Sequence, residues 1–309
     1  MPRDPSFEYP KKVCLVTART IASRLWFVNT PDLQEKILAH LAKYQEMYGV
    51  KIFAFILMGN HYHLLAQFPK GNRYKFIGAF NSIVAKLTAK YQKDFIDGKL
   101  WGRRARIQVV PNPKDVEDRF LYVTCNPISS GLVSNLGDFD GYRCMDDSVN
   151  GQSKVFKLVN WKDYNNRKRR NKSLKPKDCL EEFRIIYSRL PGCEGLSREQ
   201  YKALLLEKMA ERREKIIKER KADNLGFAGK EILRKIKPGA VPRFTKTSDR
   251  FSKRPLVLTL CAQTRAAFLQ AYFSLLAAYR EASHRFRNGD LTVEFPPGSH
   301  RPRAFVPIT

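Results

Sequence analysis

His61 and His63 are two of only five histidines in the chain, and they stand two positions apart between the apolar runs Ile52–Met58 and Leu64–Phe68. In a β-strand residues i and i+2 project from the same face, so both imidazoles leave together, with Cα atoms roughly 7 Å apart. A pair held this way on a rigid strand can grip a divalent cation; taken alone, it also fits two histidines on a polar strand face. About sixty residues later Tyr122 and Asn126 stand one helical turn apart. At helical spacing both fall on one side, off the apolar stripe Val116, Phe120 and Val123. In isolation Tyr122 also reads as a packed aromatic and Asn126 as a helix C-cap.

Together these side chains offer two imidazole nitrogens, an amide oxygen and a phenol. Mixed nitrogen and oxygen donors with room for water and phosphate suit Mg²⁺ or Mn²⁺ better than structural zinc, which takes four closed protein ligands. The phenol is then the nucleophile, and with an ordinary pKa of about 10 it needs help to attack at neutral pH. A cation that polarises a phosphate oxygen stabilises the charge developing as tyrosine displaces one side of a phosphodiester.

The elements that must position these groups are legible in the periodicity. Val13–Ala18 reads as a buried strand. Thr30, Pro31 and Asp32 open a helix to about Tyr48, with Leu33, Ile37, Leu41 and Tyr44 on one stripe and Gly49 as its stop. Ile52–Met58 and His61–Phe68 form a hairpin around Gly59-Asn60. A second helix carries Phe76, Phe80, Ile83, Leu87 and Tyr91, Ile107–Val110 supplies a fourth strand, and a third helix runs from Asp115 to near Asn126, before Pro127. The order β-α-β-β-α-β predicts an α+β fold, a ferredoxin-like antiparallel sheet with helices on one face and the other face free for chemistry.

Residues 134–160 are rich in Gly and Asp, lack a clear period and read as loops with at most short pieces of structure. Beyond them the chain turns helical: Ser197–Gln200 is a capping box before a charged helix to about Lys221, whose mixed charges read as a solvated face. A further helix from about Thr264 to Arg287 stops at Asn288-Gly289, and the Pro- and Arg-rich tail after Val293 reads as extended chain. The expected organisation is a catalytic domain over residues 1–150, a basic connector over 151–179 and a mainly helical, basic region over 180–309.

Charge points to the partner. The chain has 57 Lys plus Arg against 30 Asp plus Glu, a net +27, with +7 in residues 1–150 and +20 in the remainder. Such an excess suits a polyanion. Arg103, Arg104 and Arg106 follow Trp101, a grouping suited to phosphate contact with base stacking on single strands, or else a solvated loop beside a packed tryptophan. Arg167, Lys168, Arg169 and Arg170 form a run that would hold nucleic-acid backbone without sequence preference, or stand solvated. Six scattered cysteines without a CxxC pair predict reduced thiols. With no signal peptide and no apolar run approaching a membrane span, the expectation is a cytoplasmic, nucleoid-associated protein without a membrane partner.

In order and spacing, Met58–Leu65 (MGNHYHLL), Gly98–Trp101 (GKLW) with Arg103, Tyr122–Pro127 (YVTCNP) and Gly131–Val133 (GLV) resemble the HUH single-tyrosine transposases, specifically the REP-associated tyrosine transposases. The resemblance spans about residues 10–135. It implies that His61, His63 and Asn126 ligate the metal. It further implies that Tyr122 cuts single-stranded DNA near an imperfect hairpin, keeps the 5′ end as a phosphotyrosine and releases a 3′-hydroxyl. The implied partner is single-stranded or hairpin DNA, bound by a monomer or homodimer. Two departures stand out: Gly59 where the family usually has Pro, which would loosen the hairpin, and Ser129-Ser130 where it has Arg-Ala, which removes a basic group near the nucleophile. Two other functions fit the same residues: a catalytically idle DNA-hairpin-binding regulator, and an HUH relaxase or replication initiator.

Overall fold

Pro31 and Asp32 begin α1 (Pro31–Tyr48), which stops where Gly49 turns left-handed at φ 64°, a conformation that carries little cost only without a Cβ. The helix joins β1 (Val13–Arg19) to β2 (Lys51–Met58), and the Gly59-Asn60 turn returns the chain as β3 (His61–Gln67). Then follow α2 (Arg73–Tyr91), β4 (Arg106–Val110) and α3 (Pro113–Thr124). These elements come from a computed structural model that describes residues 7–95, 98–242 and 256–302. The strands lie in the order β2-β3-β1-β4, every pair antiparallel. This is the ferredoxin-like plan expected from the element order.

Strand alternation divides the core in two. Val16, Phe55, Leu57, Tyr62 and Leu64 face α1 and α2, where they meet Ile37, Leu41, Phe76 and Phe80. Phe55, Phe76 and Phe80 are fully buried, each stabilising the fold by about 1.5–3 kcal/mol. The opposite face presents Leu15, Ile56, Met58 and Leu65 to Val116, Phe120 and Val123 of α3. A bulge between Ile52 and Ala54 shifts the register of β2 against β3, sending Phe53 and Ala54 together to this second face.

That second face is not open, as expected from the sequence, but carries a helical layer. Past α3 come α4 (Asn126–Ser129), α5 (Met145–Asn150), β5 (Val155–Val159), α6 (Trp161–Lys168), β6 (Leu180–Arg184) and α7 (Arg198–Ala222). Tyr201, Leu205, Met209 and Ile216 of α7 are buried in the same cluster as Phe120 and Ile128. The expected capping box is present: Ser197 Oγ accepts from Gln200 N at 3.2 Å, and Gln200 Oε1 accepts from Ser197 N at 2.8 Å. The buried stripe at i, i+4, i+8 shows why this helix is not wholly solvated; its charges lie to either side of a narrow apolar seam.

Residues 155–179, expected as loop and connector, and 180–184, expected within the mainly helical region, hold a two-stranded sheet of β5 and β6 whose Phe156 and Phe183 pack with the α1 side of the core. α8 (Lys230–Arg234) and α9 (Ala262–Arg287) complete the elements, with Tyr272 and Tyr279 of α9 edge-on to Phe7 at 5.7 and 6.2 Å. Downstream chain also protects both edges of the main sheet. On β4, Val109 N donates to Leu256 O and Leu258 N to Val109 O, at 2.9 and 2.8 Å. On β2, Ser188 N donates to Ile52 O at 2.7 Å. All six cysteines are free thiols, five of them buried. Among the described residues no helix is long and apolar enough to cross a membrane. The expectation for the tail beyond 302 lies outside the described residues.

Candidate active site

The two imidazoles emerge from β3 because the strand alternates. Tyr62 points to the α2 side, where its hydroxyl donates to Asn81 Oδ1 at 2.8 Å, so its neighbours must point to the α3 side. Their ring centroids are 4.8 Å apart. Cross-strand register sets Thr17 of β1 opposite His63 and Arg19 opposite His61, and on the far side of β1 Arg106 pairs with Thr17. One face of the sheet thus carries a row of Arg106, Thr17 and His63, with Arg19 and His61 beside it.

Each histidine is anchored through Nδ1: His63 to Thr17 Oγ1 at 2.7 Å, and His61 to Asn60 Oδ1 at 2.6 Å. Asn60 can only accept at that oxygen, so His61 carries its proton on Nδ1 and its Nε2 keeps a lone pair. Burial holds both rings neutral. It pushes His61 well below the ordinary histidine value, helped by His63 and Arg19, and lowers His63 to about 3, helped by Arg19. Two neutral imidazoles, oriented by hydroxyl and amide partners, are the donor state a divalent cation requires.

α3 brings Tyr122 to this pair. Its ring lies 5.3 Å from that of His63 at an interplanar angle of 68°, and the Arg119 guanidinium sits 5.7 Å above the Tyr122 ring. The helix ends at Thr124, Cys125 interrupts it at φ −89°, ψ 8°, and α4 restarts at Asn126 with Pro127 in its first turn. Proline without an N–H is tolerated there. Asn126 is buried, and its Oδ1 accepts from Ser130 Oγ at 3.3 Å. The expected one-turn relation between Tyr122 and Asn126 therefore spans a helix break. Among the described residues no group of three or more His, Cys, Asp or Glu is arranged to hold a metal ion, so the protein nitrogen donors present for a cation are the two imidazoles.

The basic residues divide. Arg106 shares the histidine face, while Arg103 and Arg104 are exposed in the preceding turn. Trp101 is packed: its Nε1 donates to Asn81 O at 2.9 Å and its ring meets Tyr62 edge-on at 5.7 Å, so it does not stand open for base stacking. Arg167 binds Asp163 at 3.2 Å and Lys168 donates to Leu174 O at 2.9 Å; with Arg169 and Arg170 they end α6, beside the sheet that packs on the α1 side. That run is not brought to the histidines.

Not foreseen from the sequence were Thr17 and Arg19, placed by strand register, Asn60, which reaches His61 from the adjoining turn, and a cleft of about 200 Å³ between α3 and α7. Tyr122, Cys125 and Ser129 line one wall; Arg212, Lys215, Ile216 and Glu219 line the other. Nothing in the spacing of residues ninety positions apart announces that meeting.

An antiparallel sheet offering a histidine pair to a helix-borne tyrosine defines an α+β protein with the two side-chain types close together. Residues 18–113 match the family model described as "Transposase IS200 like". The match takes in His61 and His63 and ends before Tyr122. A solved structure of a REP-associated tyrosine transposase bound to a REP hairpin is similar to this chain at 18% identity, covering 49% of this chain and 88% of that one, with a TM-score of 0.38. No curated protein matches the chain.

Proposed function

We propose that this protein is a transposase that cuts and rejoins single-stranded DNA beside a hairpin, through a 5′-phosphotyrosine on Tyr122. The observation that carries the reading is the approach of the Tyr122 ring to His63, on a chain whose residues 18–113 match the IS200-like transposase family model. His61 and His63, through Nε2, with Asn126 would hold Mg²⁺ or Mn²⁺. When bound, that cation would supply Lewis-acid stabilisation of the charge developing on the phosphate.

The chain's own groups do the rest. Tyr122 Oη attacks phosphorus and loses its proton as the new O–P bond forms; the bond to the 3′ oxygen breaks, and that oxygen takes up a proton and leaves as a 3′-hydroxyl. Attack by a DNA 3′-hydroxyl on the phosphotyrosine reverses the step, so strands rejoin without an external energy source. Thr17 and Asn60 keep the imidazoles oriented, and Arg19 and Arg106, on the same face, are suited to steer the phosphate. Arg103, Arg104 and the Arg167–Arg170 run would add non-specific backbone contact away from the chemistry.

Incubation with Mn²⁺ and a hairpin-bearing single strand should give a covalent protein–DNA adduct, lost in Tyr122→Phe and on adding EDTA. Binding without an adduct across several hairpins would favour a DNA-binding regulator instead. An adduct that persists in Tyr122→Phe would show that another tyrosine is the nucleophile.

A further inference from the structure

The cleft between α3 and α7 joins the nucleophile to a helix from the far half of the chain. α7 docks in a fixed register. Lys208 Nζ binds Glu117 Oε1 at 2.6 Å and Arg212 Nη1 binds Asp118 Oδ1 at 3.1 Å, while Leu205, Met209 and Ile216 bury the seam between them. Residues 208, 212, 215 and 219 form one stripe of the helix, each three or four positions from the last. The pairing therefore carries Lys215 to the cleft beside Tyr122 and Ser129.

The chemistry of that wall suits a phosphodiester. Asp118 takes one arm of Arg212 and is shared with Arg119 at 2.5 Å, so the guanidinium keeps further N–H donors to offer. Lys215 is 68% exposed, and its contact with Glu219, at 3.9 Å, is long and solvated, an interaction worth little that a phosphate can replace. Ser129 Oγ adds a hydroxyl, and Cys125 and Ile216 give an apolar floor on which a sugar or base can rest. Glu219 is the one carboxylate among these lining residues, so the side chains of the wall remain net cationic.

We propose that Arg212 and Lys215 form a phosphate subsite that holds the backbone of the single strand presented to Tyr122. The match to the transposase family model ends at residue 113, so this would make α7, which begins only at Arg198, a working part of the site. The proposal rests on the reading of Tyr122 as nucleophile, and the test separates the two.

Binding of a dye-labelled, hairpin-bearing single strand is measured by fluorescence anisotropy across a salt series, in full-length protein carrying Tyr122→Phe so that no covalent step contributes. Each lost phosphate contact should flatten the slope of log affinity against log salt by about 0.7. Lys215→Gln should therefore flatten it by roughly 0.7 and Arg212→Gln with Lys215→Gln by roughly 1.4, with affinity falling about tenfold at low salt in the double variant. Lys86→Gln, on α2 across the sheet, should leave the slope as it was. Because Arg212 also pins α7 through Asp118, the Lys215 variant alone decides between the outcomes if the double variant melts earlier. An unchanged slope in Lys215→Gln overturns the subsite. If the Tyr122 protein still forms its adduct in that case, the nucleophile reading survives; a flattened slope with no adduct supports the subsite and overturns the nucleophile.

Discussion

Thr17 shows how closely the orientation of the histidine pair depends on its neighbours. Its hydroxyl fixes His63 through Nδ1 at 2.7 Å, and partners of this kind typically govern ligand affinity by 10–100-fold. Thr17→Val keeps the shape and removes the bond; isothermal titration with Mn²⁺ should show an affinity loss in that range, with an unchanged melting temperature setting it apart from misfolding. Thr17 was not legible beforehand, because only the pairing of β1 with β3 sets it opposite His63. The directions of His61, His63 and Tyr122 were legible, because strand alternation and helical spacing dictate which way such side chains point.

His40 illustrates a residue whose environment, not its type, sets its behaviour. Burial, then Lys43 and Lys36, lower it from 6.5 to about 4, and its Nδ1 has no hydrogen-bond partner among the described residues. Its neutral form is the folded form. As pH falls below 6.5 the unfolded chain takes up a proton that the folded chain resists until about 4, so this contribution is complete above 6.5 and is lost across that window. Thermal melts at pH 7.5 and pH 5 should show a smaller drop for His40→Phe than for the native chain; equal drops would remove His40 as a cause.

At the scale of elements, the Gly59-Asn60 turn holds the hairpin that ends in the histidines. A Cβ on Gly59 would come within 2.7 Å of Val28 Cγ1 and 2.9 Å of Leu25 Cδ2. The bare glycine thus admits a close approach of the Leu25–Val28 segment, a tighter requirement than the loosening expected from the sequence. Gly59→Val should destabilise the fold by about 1–3 kcal/mol, read as a lower midpoint in urea with an unaltered slope. The cap of α7 gives a milder test: Ser197→Ala removes one partner of a reciprocal box and should cost about 1 kcal/mol. That box was visible in the sequence because capping is local. The break at Cys125 was not, since Pro127 announces an end to α3 but not the restart that follows it.

For the whole molecule, the helical layer on the second sheet face matters most. Phe120 and Ile128 are fully buried only in company with Leu205 and Met209, and chain from beyond residue 180 also closes both edges of the sheet. A fragment ending at residue 150 would expose this apolar surface and two strand edges. It should bind a hydrophobic dye such as ANS and aggregate where the full chain remains dispersed; a monomeric, cooperatively melting fragment would show that α7 is not needed to complete the core.

The sequence by itself determined the element order, the strand alternation that pairs His61 with His63 away from Tyr62, and the cationic character of the chain. Each follows from spacing over a few residues or from simple counting. Only the tertiary structure decided that Trp101 packs inward, that the face expected to be open is roofed by α7, and that Arg212 and Lys215 stand beside Tyr122. Those facts depend on which distant segments meet, and that is set by the summed burial of apolar seams such as Leu205, Met209 and Ile216. No local pattern encodes the partner of such a seam.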